Sequence, residues 1–218
     1  MSNYDALVVV DVQPFYENGF EHLTPQYIEK LESTDKPIIY FYVGPELSNE
    51  DKGDVIMFLL KNGLSEDKCY TIRFVEKDYG FYRSFMDSNV SSNGIVEILK
   101  EMREAGTTDL RDILDEGYEN ILEWQPDLKN KLSKTDLINA EVLLSGGDSI
   151  YLPHFSNKLF KSFTADSKFE IIGGGRWECL EEIAIHLNSL NLNVEVNEKL
   201  SFGAEPIDNK KKNGKKVR

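Results

Sequence analysis

The run "ALVVVDV" (residues 6–12) limits what this chain can fold into more than any other stretch. It is apolar without alternation and then meets an acid abruptly, which marks a strand buried on both faces. Such a strand needs a helix layer above it and another below. "KPIIYFYVG" (36–44) repeats the pattern and is stopped by Gly-Pro, while "CYTIRFVEK" (69–77) alternates into a third strand. Near the other end, "KFEIIGGG" (168–175) and "LNVEV" (192–196) supply two more.

Helical patterns separate these strands. "TPQYIEKLES" (24–33) opens with Thr-Pro, an N-cap and first-turn signal, and "DVIMFLLKNG" (54–63) ends on a terminating glycine. "SSNGIVEILKEMREAG" (91–106) has polar capping residues and closes on Gly106. In "WECLEEIAIHLNSL" (177–190), Leu180, Ile183, Ala184, Leu187 and Leu190 recur at helical spacing and define one core face. Strand–helix alternation of this kind predicts an α/β fold: a three-layer, doubly wound, mainly parallel sheet with helices on both faces. One domain is expected over 1–208, with an inserted subdomain at about 107–165 and a basic tail at 209–218. Within the insertion, "TDLRDILDEGYENILEW" reads as a charged helix and "AEVLLSGGDSIYLPHF" (140–155) as two short strands around a glycine turn.

Charge and cysteine content narrow the function classes. The net charge is −13, yet the tail "NKKKNGKKVR" holds six basic residues, so residues 1–208 stand near −19. A body that acidic repels phosphate backbones, so no nucleic-acid partner is expected for it. The tail is read as a solvated, disordered end, with contact to nucleic acid or an acidic surface as the alternative. No apolar run is long enough to cross a bilayer, and the short apolar run near the start has no basic segment before it, so neither a membrane span nor a signal peptide is expected. The two cysteines, Cys69 and Cys179, form neither a disulfide framework nor a metal knuckle, which fits a reducing cytoplasm.

In a doubly wound sheet, ligands bind at the carboxyl ends of the strands. Asp11 ends the first strand, Lys77 ends the third, and Cys179 follows the "FEII" strand. A thiol at a helix start sits near unpaired N–H groups and the positive end of the helix dipole, which favours thiolate, and a nearby lysine adds to the effect. A carboxylate could accept the thiol proton and later activate water. Each residue also has a plain reading: a cysteine on a helix as packing, an aspartate at a strand end as a turn former, and Lys77 within "VEKD" as a solvated charge.

These residues resemble the isochorismatase-like cysteine hydrolases, a family that includes nicotinamidase-type and N-carbamoyl amidases. The resemblance is carried by "ALVVVDVQPFY", with Asp11 and Gln13 in the family's Asp-x-Gln; by "FVEKDYGFYRSF", with Lys77 and Phe85; and by "GGGRWECL", where Cys179 lies six residues after Gly173. It continues through "EEIAIHLNSLNLNVEV" and covers roughly residues 4–110 and 166–202. It implies that Cys179 attacks a carbonyl, that Asp11 is the general base, and that Lys77 holds the thiolate and orients Asp11. It further implies a cis peptide at Gly174–Gly175 and oxyanion donors at the backbone N–H groups of Glu178 and Cys179. Gln13, Phe15, Phe85 and Trp177 would form the substrate pocket, with simple packing as the alternative for Trp177.

The function so implied is hydrolysis of a small amide or related C–N bond through a cysteine thioester, acting on a small-molecule substrate as a homo-oligomer. No cofactor is expected. No metal is expected either, because His22, His154 and His186 do not match the family's metal-binding arrangement. Two other readings stand beside this one: a hydrolase of the same fold acting on a vinyl ether, and a non-catalytic binding protein. The chain departs from the pattern at Arg176, where the family has threonine, at "QPFY" after the first strand, and in the insertion itself. "VLLSGGDS" (142–149) is similar to the phosphate loop of ATP pyrophosphatases but is one residue short and mid-chain, and a hairpin turn is the reading preferred.

Overall fold

The computed structural model describes residues 4–77, 86–113, 126–153, 159–176 and 178–203. Phe85, Trp177, His154 and the basic tail therefore lie outside the described residues. The first strand, β1 (Ala6–Val10), is buried at every position. It is followed by helix α1 (Thr24–Ser33), strand β2 (Ile38–Tyr42), helices α2 (Lys52–Lys61) and α3 (Glu66–Thr71), and strand β3 (Ile72–Glu76). Helices α4 (Ser92–Ala105), α5 (Pro126–Lys131) and α6 (Lys134–Ser145) come next, and then β4 (Lys168–Gly173), α7 (Cys179–Ser189) and β5 (Asn193–Ser201).

The five strands form one parallel sheet in the order β3-β2-β1-β4-β5. The chain runs outward from β1 to one edge, returns, and continues from β4 to the other, so the topological switch lies between β1 and β4. Alternation along β1 divides the core between two helix layers. Leu7 and Val9 pack with Tyr27 and Leu31 of α1 and with Val55 and Leu59 of α2. Ala6, Val8 and Val10 pack on the opposite face with Leu180, Ile183 and Leu187 of α7. This is the three-layer α/β architecture expected of two-sided apolar strands.

A third cluster lies outside α7. Ile95, Ile98, Leu99 and Met102 of α4 pack with Leu128 of α5, Leu132 just after it, and Leu137, Ala140 and Leu143 of α6, and Ile185 of α7 joins them. Asp136 ties the starts of two of these helices together. It accepts from the Ser91 backbone at 2.7 Å, the Ser91 hydroxyl at 2.9 Å and the Ser133 hydroxyl at 2.7 Å. These bonds outweigh burial and hold its carboxyl below the usual aspartate range. Within the 107–165 stretch, the described apolar residues buried between Leu110 and Ile150 thus share a core with α4, whereas Leu159 and Phe160 join the β1–α7 cluster.

Two elements differ from the sequence reading. Cys69–Thr71, expected as the start of a strand, ends α3 instead, because Ser65 caps the Lys68 N–H and Glu66 and Asp67 favour the first helical turn. Residues 140–145, expected as a strand before a hairpin, belong to α6. Ser133 caps that helix, Leu137, Ala140 and Leu143 form its buried side, and the "GG" at 146–147 ends it rather than turning a hairpin. Tyr151, expected in the second strand of that hairpin, instead makes a single antiparallel bridge to Asp109. Among the described residues no helix is long and apolar enough to cross a membrane.

Candidate active site

The site is built at the switch point, from the first residues beyond three strands. Asp11 follows β1 in the left-handed region, at φ 54°, a conformation that aspartate tolerates better than bulkier residues. Its surroundings hold it there. The Asp11 N–H donates to the Phe41 carbonyl at 3.0 Å, and the buried Tyr40 hydroxyl donates to the Val12 carbonyl. Gln13, fully buried, accepts from the Val43 N–H at 2.7 Å and donates to the Val43 carbonyl at 3.1 Å and to Glu50 at 2.8 Å. Gln13 is therefore a brace between the ends of β1 and β2.

Lys77 continues β3, with its N–H on the Tyr42 carbonyl at 2.9 Å. Its side chain crosses the end of β2, and Nζ donates to Asp11 Oδ2 at 2.6 Å. The same ammonium lies 3.6 Å from Glu182 Oε2 on α7, and all three side chains are at most 5% exposed. Burial opposes the lysine charge, but Asp11, Glu182 and Cys179 together outweigh it and raise its pKa well above the ordinary range.

The nucleophile loop depends on three glycines. Gly173 is register partner to Val10 at φ 115°, and a Cβ there would fall 2.0 Å from the Val10 carbonyl oxygen. A Cβ on Gly174 would fall 1.8 Å from the Phe202 ring. Gly175, at φ 65°, presents its carbonyl to the N–H groups of Glu178 (2.8 Å) and Leu180 (2.9 Å). None of the described peptide bonds is cis, so the expected cis bond at Gly174–Gly175 is absent. Glycine residues at positive φ make the turn in its place. The Glu178 N–H, expected as an oxyanion donor, is occupied by Gly175, whereas the Cys179 N–H at the first position of α7 makes no hydrogen bond among the described residues.

Cys179 is buried beside both partners. Burial and the Asp11 charge push its thiol pKa up, and Lys77, already claimed by Asp11, only partly opposes them. The expectation of a thiolate at a helix start is thus opposed in this structure, where desolvation and the Asp11 carboxylate outweigh the lysine. The resting group is a neutral thiol beside the Asp11 carboxylate.

A cavity of about 410 Å³ opens over these groups, lined by Asp11, Lys77, Cys179 and Glu182 and walled by Tyr16 and Phe202 among others. Gly175 and Glu178 also line it, with Glu178 exposed at its rim. Gly174 lies just beneath, against Phe202. Gln13 and Phe15 do not line it; Phe15 is about half exposed and stands edge-on to Tyr16, which takes the wall position. Arg176 turns away from the cavity to the Glu198 carbonyl at 2.9 Å and the Glu198 carboxylate at 3.2 Å. Sequence reasoning missed Glu182. Its signal was the spacing of Cys179, Glu182, His186 and Ser189, which share one face of α7 and are all buried.

No protein-family model and no curated protein matches this chain.

Proposed function

We propose that this protein hydrolyses a small amide or a related C–N bond through a thioester on Cys179, as the resemblance to isochorismatase-like hydrolases implies. The observation that carries the reading is the meeting of Cys179, Asp11 and Lys77 from three strand ends in one cavity. Sγ attacks the substrate carbonyl carbon as its proton passes to Asp11. The oxyanion that forms faces the unoccupied Cys179 N–H. Asp11 then returns the proton to the leaving nitrogen, the C–N bond breaks, and a thioester remains. Water attacks that thioester with its proton taken by Asp11, the C–S bond breaks, and the proton returns to sulfur. One amide and one water become one carboxylic acid and one amine or ammonia.

A resting thiol with a raised pKa suits this sequence, because the base receives the proton only as the S–C bond forms. Lys77 holds Asp11 in position, and its charge helps balance the oxyanion that forms as Asp11 takes the proton. The test is a panel of small primary amides and N-carbamoyl compounds, followed by ammonia release and by the mass of the intact protein. The expected result is turnover with a transient acyl adduct on Cys179, and none from Cys179→Ala. Turnover that survives Cys179→Ala overturns the covalent route.

A further inference from the structure

Resting on that reading, we infer that the cavity selects substrates by charge: it turns away those carrying a carboxylate and favours amides that carry a positive group. The described wall holds three carboxylates, Asp11, Glu178 and Glu182, and Lys77 is the one cation on it. That lysine is engaged by Asp11 at 2.6 Å and faces Glu182 at 3.6 Å, so its charge is spent inside the protein. Arg176, the basic residue nearest the nucleophile in sequence, is turned outward to Glu198. An anionic substrate would therefore meet carboxylates with no cation on the described wall to receive it, in a site where poor solvation magnifies the repulsion.

A second observation points the same way. The neighbouring wall is aromatic, with Tyr16 and Phe202, and rings beside carboxylates are a favourable setting for an ammonium or other organic cation. The substrate class is thus a small amide with a cationic or uncharged body.

Thiol reagents of matched chemistry and opposite charge test this without requiring turnover. The reagents are 2-(trimethylammonium)ethyl, 2-sulfonatoethyl and methyl methanethiosulfonate, each of which forms a mixed disulfide with the thiol and releases methanesulfinate. Rates at Cys179 are read by peptide mass on the full chain, and the cation-to-anion ratio is compared with that of N-acetylcysteine amide, which cancels intrinsic reactivity. The expected ratio exceeds the reference by about tenfold or more, and falls severalfold in Glu178→Gln, a rim variant, and in Glu182→Gln. A ratio equal to or below the reference overturns the inference. So does a Cys179 that none of the three reagents modifies, because the cavity would then be closed to small molecules. A silent amide panel combined with a high ratio would remove the hydrolase reading and leave the charge preference standing.

Discussion

The Lys77 ammonium reaches Asp11 at 2.6 Å across the end of β2, joining the tips of two strands, β1 and β3, that are not neighbours in the sheet. Both side chains are buried, so removing either partner leaves the other charge desolvated. Asp11→Asn and Lys77→Met are each expected to destabilise the fold by about 3–5 kcal/mol. The double variant should lose clearly less than the sum of the two. Urea unfolding of all four proteins gives the coupling directly, and strict additivity would mean that the pair is not closed in solution.

The raised thiol pKa sets the pH dependence of alkylation. Cys179 is expected to react with iodoacetamide more slowly than free cysteine at pH 8, and to gain rate only in the alkaline range. Asp11→Asn removes a charge that opposes thiolate and frees Lys77, so it should accelerate the reaction. Lys77→Met should slow it. Peptide masses resolve Cys179 from Cys69, whose thiol burial also raises. An inflection below the free-thiol range in the unaltered protein would contradict the neutral resting thiol.

His186 links pH to stability elsewhere on α7. It is fully buried, and burial together with the nearby Arg103 lowers its pKa from 6.5 to about 3. Between those values the unfolded chain binds a proton that the folded chain does not. The contribution is complete above pH 6.5 and is lost as pH falls toward 3, at about 1.4 kcal/mol per pH unit. Urea midpoints at several pH values should show a shallower decline for His186→Gln than for the unaltered protein. Equal slopes would show that this ring is protonated in the fold.

Substitution of the loop glycines separates architecture from chemistry. Gly173→Ala places a methyl group against the Val10 backbone at positive φ, and is expected to lower stability by about 3 kcal/mol. Gly174→Ala meets a side chain rather than backbone, so Phe202 can swing aside. That variant should retain most of its stability, within about 1–3 kcal/mol, and lose activity more sharply because a cavity wall has moved. Thermal melts alongside turnover distinguish the two.

Much of this was legible in the chain itself. β1 and β2 announce themselves as unbroken apolar runs because both faces of each are buried, and α4 is bracketed by its own caps, Ser91 and Gly106. Asp11, Lys77 and Cys179 stand out because each follows an apolar run, and a doubly wound sheet brings such ends to one rim. Apolar content alone misled at Cys69–Thr71 and at 140–145. There the decisive information lay in the short polar caps Ser65 and Ser133. The cavity wall was the hardest part to read. Phe202 reaches the site only because β5 runs on to Ser201, and the Phe202 N–H then meets the Gly173 carbonyl at 3.0 Å. No local pattern encodes that approach.

The pairing of β1 with β4 has one more consequence. Asp11 and Lys77 both precede α4, whereas Cys179 and the glycine loop follow residue 168. On the proposed mechanism, the proton-handling and bond-making groups thus reside on two separate lengths of polypeptide that meet along one ladder, Ala6 to Val10 against Phe169 to Gly173. Neither length carries a complete reaction centre. If that mechanism holds, a backbone opened between β3 and β4 would yield two inert fragments whose chemistry returns only on docking, the layout of a split reporter.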